Sequence, residues 1–111
     1  MAIRREAFAQ IGGFDDHYFL YFEETDLCRR LRRAGREIWH VPTVEASHIG
    51  GASNRQIWSR ARLEYRRSQL RFYRKHHGTL SGWGLLAYLL LKQGWTHEER
   101  EHLRRFAREP L

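Results

Sequence analysis

Phe22-Glu23-Glu24-Thr25-Asp26-Leu27-Cys28-Arg29-Arg30-Leu31-Arg32-Arg33-Ala34-Gly35 packs three carboxylates into four positions and then turns arginine-rich. The acids stand where a helix would begin and the arginines where it would end. The helix dipole favours that order, with negative charge at the N-terminal end and positive charge at the C-terminal end. Leu27, Leu31 and Ala34 recur at helical spacing and predict a buried stripe. Gly35 suits the position just beyond the helix, because glycine enters the left-handed conformation without a steric cost. The stretch therefore predicts a short amphipathic helix with acids clustered at its mouth.

Two roles fit those acids. As structure, they complete an acidic first turn, with Asp26 reaching Arg29 or Arg30. As a site, a carboxylate at a helix start and facing a cleft can take a proton from a substrate hydroxyl. The residues by themselves leave both open.

Upstream, residues 4–11 predict a short helix with Ile3, Ala7, Phe8 and Ile11 on one face, ended by Gly12-Gly13. Residues 14–22 form an aromatic loop in which Asp15 and Asp16 serve as turn residues; a metal-binding role for that pair is the sharper alternative. Downstream, residues 37–41 and 43–49 alternate well enough to predict two short strands, interrupted by Pro42. The fold class expected from this order is α/β, mostly helical with a short two-strand element.

Residues 55–77 predict a long helix with Trp58, Ala61, Tyr65 and Phe72 on one face. It carries eight Lys or Arg residues against one acid, Glu64, an excess equal to the net charge of +7 for the whole 111-residue chain. Its cations are either a solvated face or an anion-binding surface, with Arg60, Arg66, Arg67 and Arg74 the candidates. A basic balance of this size suits an anionic partner: phosphate, nucleic acid or an acidic membrane face. Residues 80–91 are almost all apolar and hold Trp83 and Tyr88. They read as a core helix or as a segment in a membrane interface, where such aromatics gather. The uncharged run from 78 to 91 is shorter than the roughly 20 residues that span a bilayer. Thr96 predicts the N-cap of a last helix with Glu98 and Glu99 in its first turn. Cys28 has no second cysteine to pair with and reads as a small core residue. That fits a reducing compartment. Of the seven histidines, His48 stands out, at the end of a strand candidate beside Gly50-Gly51, where a ligand could approach the backbone. His76-His77 ends the basic helix, where a cation suits the dipole.

Several segments together carry a resemblance: residues 3–8, Ile11-Gly12-Gly13-Phe14-Asp15, Phe19-Leu20-Tyr21-Phe22-Glu23-Glu24-Thr25-Asp26-Leu27-Cys28, Arg32-Arg33-Ala34-Gly35 and Ala46-Ser47-His48-Ile49-Gly50-Gly51-Ala52-Ser53. In order and spacing, over roughly residues 1–77, they resemble the second half of family-2 glycosyltransferases, the rhamnosyltransferase-like branch above all. The resemblance implies part of a GT-A fold and an inverting transfer from a nucleoside-diphosphate sugar to a glycan or lipid-linked acceptor. It implies Glu24 as general base, where the family often has Asp. Glu23 would support it by contacting the acceptor or the structure, and Asp26 by pairing with Arg29 or Arg30. His48 would be an accessory contact to a divalent metal, Mg or Mn.

The family's nucleotide-binding strand and its Asp-x-Asp motif have no counterpart here; Asp15-Asp16 is not that motif. The expectation is therefore an acceptor-side half, 1–77, followed by a helical segment, 78–111, at the inner face of the plasma membrane. Such a half would be inactive alone and would depend on a missing N-terminal half or a second chain. Two rivals without catalysis remain. One is a nucleic-acid-binding helix, disfavoured because the helix has no base-reading motif and the acids have no role in it. The other is a peripheral module on an anionic membrane.

Overall fold

The structure, a computed structural model, describes residues 1–45, 47, 55–92 and 94–109. It contains five helices: α1 (Arg5–Gln10), α2 (Glu23–Arg33), α3 (Arg55–His77), α4 (Thr79–Leu91) and α5 (His97–Phe106). Each lies within a residue or two of its expectation from the sequence.

The helix ends follow from local chemistry. Beyond α2, Gly35 adopts φ 75°. Its N–H donates to the Arg32 carbonyl at 3.1 Å, and the Arg36 N–H donates to the Leu31 carbonyl at 3.0 Å. That pair of bonds satisfies carbonyls that the helix would leave orphaned. Gly12 and Gly13 close α1 in the same manner, with bonds to Ala9 and Phe8 at 3.1 and 3.0 Å. At α5 the Thr96 hydroxyl accepts from the Glu99 N–H while the Glu99 carboxylate accepts from the Thr96 N–H, a complete capping box.

Two apolar clusters form. Ala7, Leu27 and Leu31 join α1 to α2, with Ile3, Phe8 and Ile11 packed against them. Leu70, Leu86, Leu89, Leu103 and Ala107 join α3 to α4 and α5, with Leu85, Leu90 and Trp95 beside them. Between the clusters, α2 meets α3 chiefly through aromatic rings and ion pairs.

The two-strand element expected from the sequence is corrected here: among the described residues there is no strand, and the architecture is helical. Residues 37–41 are irregular. Ile38, Trp39 and Val41 are 45, 77 and 52% exposed. A strand is made by pairing. Here the apolar positions on both faces of the segment meet solvent, so alternation finds no partner to satisfy its backbone. Of the second candidate, 43–45 and 47 are not strand; its remaining residues lie outside the described ones.

Candidate active site

The entry to α2 is held in an unusual backbone conformation. Tyr21 and Phe22 both have positive φ, 65° and 68°, where L side chains are strained. Such residues cost about 1–3 kcal/mol each and persist only where surrounding contacts impose them. The contacts are aromatic. Tyr21 and Phe22 pack edge-on against Tyr65 of α3, with ring centroids 5.4 and 5.3 Å apart, and Phe22 lies 5.4 Å from Phe72. The Ser68 hydroxyl adds a hydrogen bond to the Leu20 carbonyl at 2.7 Å. The loop is thereby fixed to α3, and it fixes where Glu23 and Glu24 project.

The three acids of the motif then part company. Asp26 is fully buried. Its Oδ2 accepts from Arg30 Nε at 2.7 Å, and its Oδ1 from Lys75 Nζ at 2.7 Å and His76 Nε2 at 2.6 Å. Burial alone would raise its pKa. The hydrogen bonds from Lys75, His76 and Arg30 outweigh that and hold the carboxyl below its ordinary value. Of the two arginines expected as its partner, Arg30 is the one. Arg29 lies over the Phe72 ring instead, 5.9 Å from its centroid.

The network extends outward from Asp26. Arg30 also donates to the Ile11 carbonyl at 2.8 Å and the Gly13 carbonyl at 2.7 Å, locking α1 onto α2. Lys75 reaches Asp15 Oδ2 at 2.7 Å. Asp15 Oδ1 accepts from the His17 N–H at 3.0 Å, the turn role expected of it. Burial opposes ionisation of Asp15, but Lys75 and His17 prevail and hold its carboxyl well below the usual range. His76 is buried, and burial pushes its pKa down despite the Asp26 charge, which acts to raise it. A neutral ring with its proton on Nε2 fits both observations, since Nδ1 is buried with no hydrogen-bond partner among the described residues. The dipole-capping cation expected at 76 is thus a neutral donor. Sequence reasoning named Asp15 as a turn residue and His76 as a helix-end cation, and it missed that Lys75 and His76 converge on Asp26 and that Lys75 ties Asp15 to them. Their signal is the line Ser68, Phe72, His76, buried at helical spacing on α3 and ending in polar side chains.

Glu24 lies outside this network. It is exposed, and it forms no hydrogen bond or ion pair among the described residues. Four residues on, Cys28 shares its helix face. Cys28 and Leu31 line a cleft of about 580 Å³ bounded by Met1, Arg4, Gly35, Ile38 and Trp39. Cys28 is half-buried as a free thiol. Glu23 is half-buried, and its Oε2 is buried without a hydrogen-bond partner among the described residues. So one acid is committed to structure, and its neighbour two positions earlier is an exposed carboxylate one turn before Cys28 of the cleft lining.

Other candidates are dispersed. Arg60 is exposed. Arg66 donates to Gln69 at 2.7 Å, Arg67 to Glu109 at 2.9 Å and Arg74 to the Glu109 carbonyl at 2.7 Å. Arg67 also lies over the Phe106 ring, and Arg62 pairs with Glu99. Much of the basic face of α3 is therefore turned to holding α5. His48 lies outside the described residues. Among the described residues no group of three His, Cys, Asp or Glu side chains could hold a metal ion, so no catalytic step is derived through one.

The mouth of α2 thus carries an exposed carboxylate, Glu24, beside a buried ionic hub centred on Asp26. Comparison with known proteins relates the chain to sugar-transferring enzymes. The chain is 38% identical over 72 residues to the rhamnosyltransferase WbbL of Escherichia coli, covering 65% of this chain and 27% of that one. It is 48% identical over 48 residues to an N-acetylglucosaminyl-diphospho-decaprenol L-rhamnosyltransferase of Mycobacterium tuberculosis, covering 43% of this chain and 16% of that one. A low-salt glycan biosynthesis hexosyltransferase of Haloferax volcanii is 38% identical over 48 residues, 16% of its length. Over these stretches the chain is a relative of rhamnosyl- and hexosyltransferases, and it spans about a quarter or less of their length. No family model matches it. No solved structure matches it either.

Proposed function

We propose that this chain forms the acceptor side of a family-2 inverting glycosyltransferase of the GT-A type, with Glu24 as the general base. Glu24 takes the proton from an acceptor hydroxyl. The freed oxygen attacks the anomeric carbon of a nucleoside-diphosphate sugar, the bond from that carbon to the diphosphate breaks, and the nucleoside diphosphate leaves with its electron pair. Single displacement inverts the anomeric centre. The observation that supports this reading is the division of labour within one helical turn: Asp26 is buried and triply bonded, while Glu24 is exposed and forms no hydrogen bond or ion pair among the described residues. A base must reach its substrate and keep a free lone pair, and of the three acids Glu24 meets both conditions. Glu23 supports it from the same turn.

The donor's nucleotide and a divalent metal, Mg or Mn, would be held mainly by residues beyond these 111, with His48 as an accessory contact. On this reading the chain transfers sugar only together with such residues, supplied in the same polypeptide or by a second chain. The acceptor is a polysaccharide or a lipid-linked glycan, a class suggested by the decaprenol-linked substrate in the mycobacterial relative's name. The test is a chimera in which this chain replaces the matched stretch of the E. coli rhamnosyltransferase. The chimera should transfer sugar from a nucleotide donor and give a product of inverted anomeric configuration. A product of retained configuration would overturn the mechanism.

A further inference from the structure

Two strained residues stand side by side before α2, and packing accounts for only one of them. Phe22, at φ 68°, is half-buried and meets two rings of α3, Tyr65 and Phe72, at 5.3 and 5.4 Å. Tyr21, at φ 65°, meets Tyr65 alone among the described rings, and it stays 43% exposed. A bulky residue at positive φ is an outlier, and one that its own packing does not explain points to function. A glycine at position 21 would make the same turn without the strain. What the tyrosine adds is its ring.

That ring is held in one orientation. Tyr65 forms an edge-to-face pair with it, at an interplanar angle of 68°. Tyr65 is itself steadied by Phe22 and by the Arg66 guanidinium, 5.1 Å from its centroid. The Ser68 hydroxyl fixes the Leu20 carbonyl just before Tyr21. An edge-to-face contact covers at most one face of the Tyr21 ring and leaves the other open. The Tyr21 hydroxyl makes no hydrogen bond among the described residues. Glu24 follows three residues later, so the two Cα atoms are at most about 11 Å apart. The mouth of α2 thus offers an open aromatic face and an exposed carboxylate within the reach of one small glycan. Such a face suits a sugar. A pyranose carries C–H groups on its faces and hydroxyls around its edge, so it stacks on an aromatic ring while its hydroxyls keep polar partners. Tyrosine supplies a rigid apolar body with a wet tip for that contact.

We propose that Tyr21 is the stacking platform for the sugar ring of the acceptor, holding it across the mouth of α2 with one hydroxyl at Glu24. The assignment rests on the sugar-transfer reading for its ligand class, but it does not require Glu24 to be the base. The probe is octyl N-acetylglucosaminide, a soluble sugar with a lipid tail, added to the whole chain below its micelle concentration. Saturation-transfer NMR, with the aromatic protons of the protein irradiated, should enhance the sugar ring protons. Tyr21→Gly removes the ring and suits the positive φ. It should weaken the enhancement by about fivefold or more, the order expected for loss of a stacked ring, whereas Tyr21→Phe should stay within about twofold of the wild type. Glu24→Gln should also retain it, so failure of the base and failure of the platform are read separately. Circular dichroism verifies that each variant is folded. Should Tyr21→Gly not be, nuclear Overhauser contacts between the Tyr21 ring and the sugar ring protons in the wild type decide: their presence supports the platform and their absence overturns it. Lack of any enhancement of the sugar ring protons would overturn the proposal. A folded Tyr21→Gly chain with a lower melting temperature and undiminished enhancement would assign Tyr21 to structure alone. Enhancement confined to the octyl chain would assign the ring to a lipid tail instead.

Discussion

Asp26 and Glu24 are two residues apart, so the helix turns them onto opposite faces, one into the seam with α3 and the other toward solvent. The difference predicts opposite mutational behaviour. Asp26→Asn leaves Arg30 and Lys75 without their buried counter-charge, a change that costs about 3 kcal/mol or more in comparable sites. Urea unfolding should show that loss, whereas Glu24→Gln should stay within about 0.5 kcal/mol of the wild type, as exposed substitutions do. Protonation acts on the same hub. The pKa of His76 is lowered by folding, so the unfolded chain takes up a proton first as pH falls below about 6.5, and stability declines. Asp26 and Asp15, held below their ordinary values, lose their contribution further down, below about pH 4. Unfolding midpoints measured from pH 8 to pH 3 should therefore fall monotonically with acid. The fall should be shallower below pH 4 in Asp26→Asn. Sequence spacing named Arg30 as one of two partners because both lie within one turn of Asp26. It was silent on Lys75 and His76, which arrive from 49 and 50 positions away and are brought there only by the packing of α3 on α2.

At the scale of elements, the helices were legible because their ends are written in local chemistry: Gly12-Gly13, Gly35 and the Thr96–Glu99 box. The strand candidates were not, because alternation records only which residues could face a core. It does not record whether a neighbouring strand exists to pair with. For 37–41 none is present among the described residues. The two glycines inside α4 look alike in sequence and differ in surroundings. A Cβ at Gly84 meets nothing within 4 Å, so Gly84→Ala should stabilise the chain by about 0.5–1 kcal/mol through helix propensity. At Gly82 the Arg74 side chain must give way, and Gly82→Val should lower the melting temperature as α4 is pushed off α3. Thermal melts of the two variants side by side check both signs.

For the molecule as a whole, two apolar clusters are joined by one ionic hub and one aromatic seam, and the motif Glu23-Glu24-Thr25-Asp26 sits at that junction. The acids at the mouth of α2 were visible in the sequence from the start. Which of them is free and which is committed to structure followed only from burial. The groove lined by Cys28 and Leu31 could not be read at all, since its walls come from the N-terminus, α2 and the segment near Trp39. On the proposed function this free carboxylate, Glu24, is the base of a sugar-transfer reaction. Its most direct test is the rate of sugar transfer by the chimera with Glu24 replaced by Gln, measured with the fold checked in parallel. Loss of transfer by about a hundredfold or more, the usual contribution of a general base, with unfolding unchanged, is the predicted result. Transfer at the wild-type rate by a folded Glu24→Gln chimera would contradict it.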